Sequence, residues 1–224
     1  MSNKHRGEKG EKKVAGVLES ISEPRYVLHD VTLRNPASEL THQLDHILIH
    51  PHGLFVIETK NYSGTIIMDE ISGTWKKLIH GHEERFFSPI AQNKSHVRTL
   101  RKALKSKYHP IGLVVFVQNN APYLPDENVI NLDDLLLFID AYPYPKRFTI
   151  LEMDEIKRLI ESVAVDVSKE EHLENIAILR QVRKEAQAKM TYAIERRLCP
   201  RCDAPIEEKD YAYHCPKCGY SFKL

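Results

Sequence analysis

Residues 43–61 read QLDHILIHPHGLFVIETKN. Two apolar runs, 43–50 and 54–60, flank Pro51-His52-Gly53. Proline presets φ for a turn and glycine accepts a positive φ, so the stretch reads as a β-hairpin in the core. It also carries Asp45, Glu58 and Lys60, charged groups that a buried strand avoids unless they are paired or ligate something. Side chains alternate along a strand, so Glu58 and Lys60 share a face with Val56. A two-residue turn pairs His50 with Gly53 and sets Asp45 opposite Glu58. A three-residue turn sets Asp45 opposite Thr59 and needs a bulge to bring both acids to one side. In either register two carboxylates are neighbours in a half-apolar setting. One of them takes up a proton unless a cation neutralises the pair.

Asp45 and Glu58 are hard oxygen ligands for Mg²⁺ or Mn²⁺, and the backbone carbonyl of Thr59 is a third candidate. Lys60 would stand beside the attacking water, where its charge orients or helps deprotonate the nucleophile and stabilises a pentavalent phosphorane. The ion would add Lewis acidity and lower the pKa of water. The chemistry implied is phosphodiester hydrolysis. Glu-x-Lys alone is unspecific, since it recurs at Glu11-Lys13, Glu155-Lys157 and Glu207-Lys209. The bland alternative is a structural Asp at a strand start and an ion pair at a strand end.

Outward from the hairpin, residues 7–21 place Val14, Val17, Leu18 and Ile21 at helical spacing, which predicts a first helix. Strands are expected over 26–33 and 111–117, the latter a continuous apolar run buried on both faces. A second hairpin is expected over 65–79 with Gly73 in or near its turn. Trp75 reads as a core contact of that hairpin, with stacking on a base as the sharper alternative. A helix is expected from Pro89 to about Tyr108, and further helices near 152–165 and 169–197. The order is a mixed α/β core.

Over its 224 residues the chain carries 32 Lys and Arg against 31 Asp and Glu, so any grip on nucleic acid must come from local patches. Residues 96–109 and 180–197 are two basic segments, each equally readable as a solvated helix face. No apolar run is long enough to span a bilayer, and the polar start has no signal-like apolar stretch, so a cytoplasmic location is expected and no membrane partner.

Three separated segments, GEKGEKKVAGVLE (7–19), QLDHILIHPHGLFVIETKNYSGTI (43–66) and SPIAQNKSHVRTLRKAL (88–104), resemble the NERD (nuclease-related) domain, a family similar to the PD-(D/E)xK nucleases. The resemblance covers about residues 7–120. It implies a restriction-endonuclease-like αβββαβ core with a mixed sheet. It also implies catalytic roles for Glu11, Asp45, Glu58, Lys60 and Gln92, with Asp45, Glu58 and Thr59 on Mg²⁺ or Mn²⁺. Glu11 would serve a second cation or a water, and Gln92 a phosphate or the attacking water. Lys94, Arg98 and Arg101, on or near the helix after Gln92, are expected phosphate contacts.

All four cysteines fall in the last 26 residues, as Cys199-x2-Cys202 and Cys215-x2-Cys218 twelve residues apart. Paired knuckles of this kind wrap a tetrahedral zinc, and four thiolates close its coordination sphere, so this zinc is structural. The module resembles the zinc ribbon of bacterial type I topoisomerases. Tyr211, Tyr213, Tyr220 and Phe222 are its expected small core, and His214 a surface residue. HEERF at 82–86 lacks the second histidine of a metalloprotease motif. The expected organisation is a nuclease-like domain (1–150), a helical connector (151–197) and the ribbon (198–224). The expected function is metal-dependent cleavage of nucleic acid, DNA ahead of RNA. The alternative is a non-catalytic module that binds nucleic acid or protein on the same fold.

Overall fold

The computed structural model describes residues 3–35, 38–68, 74–124, 127–143, 147–209 and 212–223. Helix α1 (Asn3–Glu19) leads into strands β1 (Tyr26–Arg34), β2 (Thr41–His50) and β3 (Gly53–Lys60). After β4 (Thr65–Ile67), β5 (Thr74–Ile79) and β6 (His82–Phe87) come α2 (Pro89–Ala103), β7 (Ile111–Phe116) and β8 (Val129–Asn131). Helices α3 (Leu135–Ala141), α4 (Ile150–Val163) and α5 (Lys169–Arg196) follow, then the short strands β9 (Glu207–Lys209), β10 (Ala212–His214) and β11 (Ser221–Lys223). The central sheet runs β1-β2-β3-β7-β8. Its first three strands are antiparallel, while β7 and β8 are parallel to β3. This is the expected mixed α/β core.

The hairpin adopts the two-residue turn, with His50 paired to Gly53. Gly53 has φ 156°, a backbone conformation that L side chains rarely adopt, so the turn favours glycine there. Helices cover both faces of the sheet. On one face Ile47, Ile49, Leu54 and Val56 pack against Leu100 of α2 and Met153, Ile156 and Ile160 of α4. On the other, Phe55, Ile57, Leu113 and Val115 meet Val14 and Leu18 of α1 and Leu135 of α3. Each such fully buried side chain contributes about 1.5–3 kcal/mol by leaving water. α2 starts where expected because Ser88 accepts the Ala91 N–H and Pro89 takes the first turn, where a missing N–H costs nothing.

Two elements differ from expectation, an added strand at 82–87 and the core role of the helix that opens the expected connector. The expected hairpin over 65–79 forms, with β4 antiparallel to β5, and the charged run at 82–87 pairs along β5 as β6 to make a three-stranded sheet. The expected turn at Gly73 lies outside the described residues. Trp75 is buried, stacked on Phe116 at 6.1 Å with 7° between the rings, so it seals the small sheet onto β7 and offers no face to a base. The segment expected as a connector from 151 begins with α4, which is part of the core: its apolar stripe faces the sheet, and a Thr149–Glu152 capping box fixes its start.

α5 is the polar helix that spans between bodies. Near its start Glu171 pairs with Arg34 at 2.7 Å and Asn175 accepts the Thr41 N–H at 3.4 Å. Farther along, Gln187 donates to Thr74 Oγ1 on β5 at 2.5 Å. It ends at Arg197 in the left-handed region (φ 52°), which turns the chain into the cysteine module. There Cys199, Ile206, Tyr213 and Cys215 form a small core, with Tyr220, Phe222 and Ile194 of α5 against it. Tyr211 lies outside the described residues. No helix among the described residues is long and apolar enough to cross a membrane.

Candidate active site

The site lies where the alternation of β1 and β2 breaks. Leu44 packs on the same face as Ile47 and Ile49, so the pattern changes parity between residues 44 and 47. The partner strand changes with it: Leu28 and Leu33 share that face, and Asp30, opposite Asp45, has φ 52°. This paired irregularity works as a bulge does, re-aiming one side chain. The β2–β3 ladder ends at His46–Ile57, and instead of a backbone partner the Thr59 N–H donates to Asp45 Oδ2 at 2.8 Å. Asp45 thereby reaches the end of β3 beside Glu58.

Asp45, Glu58, Lys60 and Gln92 line one cavity of about 350 Å³ together with Glu11. Glu58 is 2% exposed. Its Oε1 receives Lys60 Nζ at 2.5 Å, and Lys60 also reaches Gln92 Oε1 at 3.4 Å. Glu58 Oε2 has no aligned hydrogen bond, only the ion-pair approach of buried His96 Nδ1 at 3.3 Å. Burial alone would push the Glu58 carboxyl up, but Lys60 and His96 outweigh it and hold the group down to about 2. Asp45 goes the other way: burial first, then the Glu58 charge, raise it well above the ordinary aspartate value. Burial also raises Glu11, helped by Asp30 and Glu58. Burial disfavours the Lys60 ammonium, yet Glu58, Tyr62 and Asp45 more than compensate, so Lys60 holds its proton more tightly than an ordinary lysine. Burial and charge thus push the two neighbouring carboxyls in opposite directions, one ionised and one inclined to keep a proton.

Glu11 comes from the opposite face of the sheet, and two residues bring it in. Asn61, 8% exposed, donates from Nδ2 to the Arg6 carbonyl of α1 at 2.7 Å and accepts from Gln118 at 2.6 Å. Gly10 lets the helix that close: a Cβ there would sit 2.7 Å from Asn61 Cβ. Gly10→Val should therefore push α1 outward and cost about 1–3 kcal/mol, as overpacking does. A wild-type midpoint in urea would refute this packing account. Asn61 is a positioning residue, and so is His96. The signal for both was their place beside the hairpin and on the buried stripe of α2. Among the described residues Glu11, Asp45 and Glu58 do not converge to within 4.8 Å as a set of three, whereas the four cysteines do.

Lys94 and Arg98 line a different cavity, of about 370 Å³, where Lys94 pairs with Glu127. Arg101 lies exposed in the last turn of α2. None of the three is among the residues lining the carboxylate cleft.

The donor set suits a divalent cation: two carboxylates differing in proton affinity, one with a buried oxygen lacking an aligned hydrogen bond, and a strand-end carbonyl. In the cysteine module the Sγ atoms of Cys199 and Cys218 are 3.6 Å apart and those of Cys202 and Cys215 3.5 Å. A tetrahedral site with Zn–S of about 2.3 Å has sulfurs about 3.8 Å apart, so the four fit one zinc. His214 turns away from them to Ser221, with Nδ1 2.7 Å from the hydroxyl.

A mixed sheet carrying Asp and Glu-x-Lys on adjoining strands, with an acidic helix against its end, defines a nuclease-like α/β domain. The chain belongs to the nuclease-related domain (NERD) family, which matches residues 6–117. A relative, an uncharacterized protein of Bacillus anthracis, is 29% identical over 167 residues, 71% of this chain and 76% of that protein. No solved structure matches the chain.

Proposed function

We infer that this protein is a nuclease dependent on Mg²⁺ or Mn²⁺, acting on nucleic acid in the cytoplasm with DNA preferred to RNA. The observation that carries this reading is the opposed pair at the cleft floor: Asp45 raised, Glu58 lowered, and Glu58 Oε2 buried without an aligned hydrogen bond. Asp45, Glu58 and the Thr59 carbonyl hold the ion, which supplies Lewis acidity and a lowered water pKa. Lys60, which keeps its proton, acts as a cation: it orients the attacking water and offsets charge developing on the phosphoryl oxygens. Gln92 hydrogen-bonds the phosphate or the water, and Glu11 serves a second cation or a water. The module at 198–224 binds structural zinc through its four cysteines and docks the substrate.

The test is calorimetry with Mn²⁺, then incubation with single- and double-stranded DNA and RNA. Because Asp45 must release its proton, Mn²⁺ affinity should rise with pH through the elevated Asp45 pKa and level off above it, with proton release on binding below that point. Binding that is flat across this range, or absent, rejects the metal site. The second reading, a binding module that cuts nothing, is favoured by one observation: the Lys60 ammonium already neutralises Glu58 without a metal. Metal binding with no cleavage of any substrate would favour it.

A further inference from the structure

α5 lines a cavity beside the carboxylate cleft. Between its anchors at Asn175 and Gln187 it runs twelve residues, about 18 Å at 1.5 Å per residue. Under that span lies a second cavity of about 410 Å³, which shares Lys60, Tyr62 and Gln92 with the carboxylate cleft. The two therefore adjoin at these three side chains, and the trough under α5 runs beside the carboxylates. One wall is α5, with Arg180, Lys184 and Gln187; the other is β6, with Arg85, Phe86 and Phe87.

The charges along this trough are unequal. On the hairpin wall, Arg85 is paired with Glu83 at 3.2 Å and Lys77 with Glu84 at 2.9 Å. On α5, Glu185 is engaged by Gln181 at 2.6 Å. Arg180 and Lys184 are exposed and have no carboxylate partner among the described residues. They sit four apart, one helical turn, so both project over the trough. Opposite them Tyr62 and Phe86 form an edge-to-face pair at 4.6 Å. Cations without a carboxylate partner among the described residues, facing an aromatic wall, supply the two components that hold single strands: the backbone runs along the charge and bases stack on the rings.

Resting on the nuclease reading above, we propose that the trough under α5 is the binding site for single-stranded nucleic acid. Arg180 and Lys184 hold phosphates next to the one presented to Glu58 and Lys60. A helix pinned on both sides of an opening leaves a passage rather than an open face. A strand can thread it, whereas a duplex would have to displace α5.

The test is fluorescence anisotropy on the full zinc-loaded chain without added Mg²⁺ or Mn²⁺, so that nothing is cut. The probes are a labelled oligothymidylate, an oligouridylate of equal length, and a duplex. The single strands should bind at least about tenfold more tightly than the duplex, stacking on exposed bases being worth about 1–3 kcal/mol each. The two single-stranded probes then rank DNA against RNA. Arg180→Ala/Lys184→Ala should lower the slope of log K against log salt by about 1.4, two contacts at about 0.7 each. Unchanged zinc content and melting establish that the variant is folded. A wild-type slope in the folded variant, or a duplex that binds as tightly as the strand, overturns the proposal. Strand binding with the predicted slope change, but no cleavage once Mn²⁺ is added, removes the nuclease reading and leaves the trough standing. Cleavage of single strands that the double variant leaves untouched does the reverse.

Discussion

Asp45→Asn should lower the cleavage rate by about three orders of magnitude, equivalent to about 4 kcal/mol, and abolish measurable Mn²⁺ binding. The asparagine carbonyl still accepts the Thr59 N–H, so the end of β3 keeps its partner. It also removes a carboxyl whose ionisation the fold resists. The sign follows from linkage. With the folded pKa above the unfolded one, the unfolded chain releases the proton first. The metal-free fold therefore loses stability from about pH 4 upward, until the folded group has ionised as well. Asp45→Asn should accordingly melt higher than the wild type at neutral pH in chelator, and the gap should close near pH 4. An inactive variant that melts lower at neutral pH would mean that Asp45 is a structural anchor. Glu58→Gln is a poorer probe: it leaves the mostly buried Lys60 ammonium without its partner, which costs about 3–5 kcal/mol whatever the chemistry.

Removing the metal from the cysteine module should unfold residues 198–223 while the α/β core stays intact. The module has three strands of three residues and a core of a few side chains, too little apolar surface to order itself. Structural zinc contributes about 10–16 kcal/mol in small domains of this kind. Cys199→Ser, or a strong chelator, should release one zinc per chain. Amide protection should be lost across β9–β11, while Leu48, Phe55 and Leu113 remain protected. Retained protection in β10 after zinc loss would show that the module folds on its own apolar contacts, and the zinc assignment would fall.

Much of this was readable from the chain. The β2–β3 hairpin declared itself because its apolar runs and Pro-His-Gly turn agree, and the charged residues inside it stand out against that pattern. The cysteine spacing was readable for the same reason: few other arrangements use it. What escaped reading depends on partners distant in sequence. β6 is hidden by its charges, since His82, Glu83, Glu84 and Arg85 are exposed on the small sheet and look like a loop. α3 is only seven residues long, and its leucines lie among prolines that suggest turns. The route of Glu11 into the cleft passes through Gly10, Asn61 and Gln118, residues 51 and 57 positions apart, which no local pattern connects. The basic stretch beginning at residue 180 was visible as charge, but only the anchors at Asn175 and Gln187 place it along the cavity beside the cleft.

The left-handed Asp30 facing Asp45 also governs how the sheet can assemble. An ordinary pair of strands can slide by two residues and still bury the correct faces. Here both strands change parity at one matched step, so any slide sets a kink in one against straight backbone in the other. The irregular step that aims Asp45 therefore doubles as an alignment pin. The chain cannot pair β1 with β2 in a wrong frame and keep its apolar residues inside.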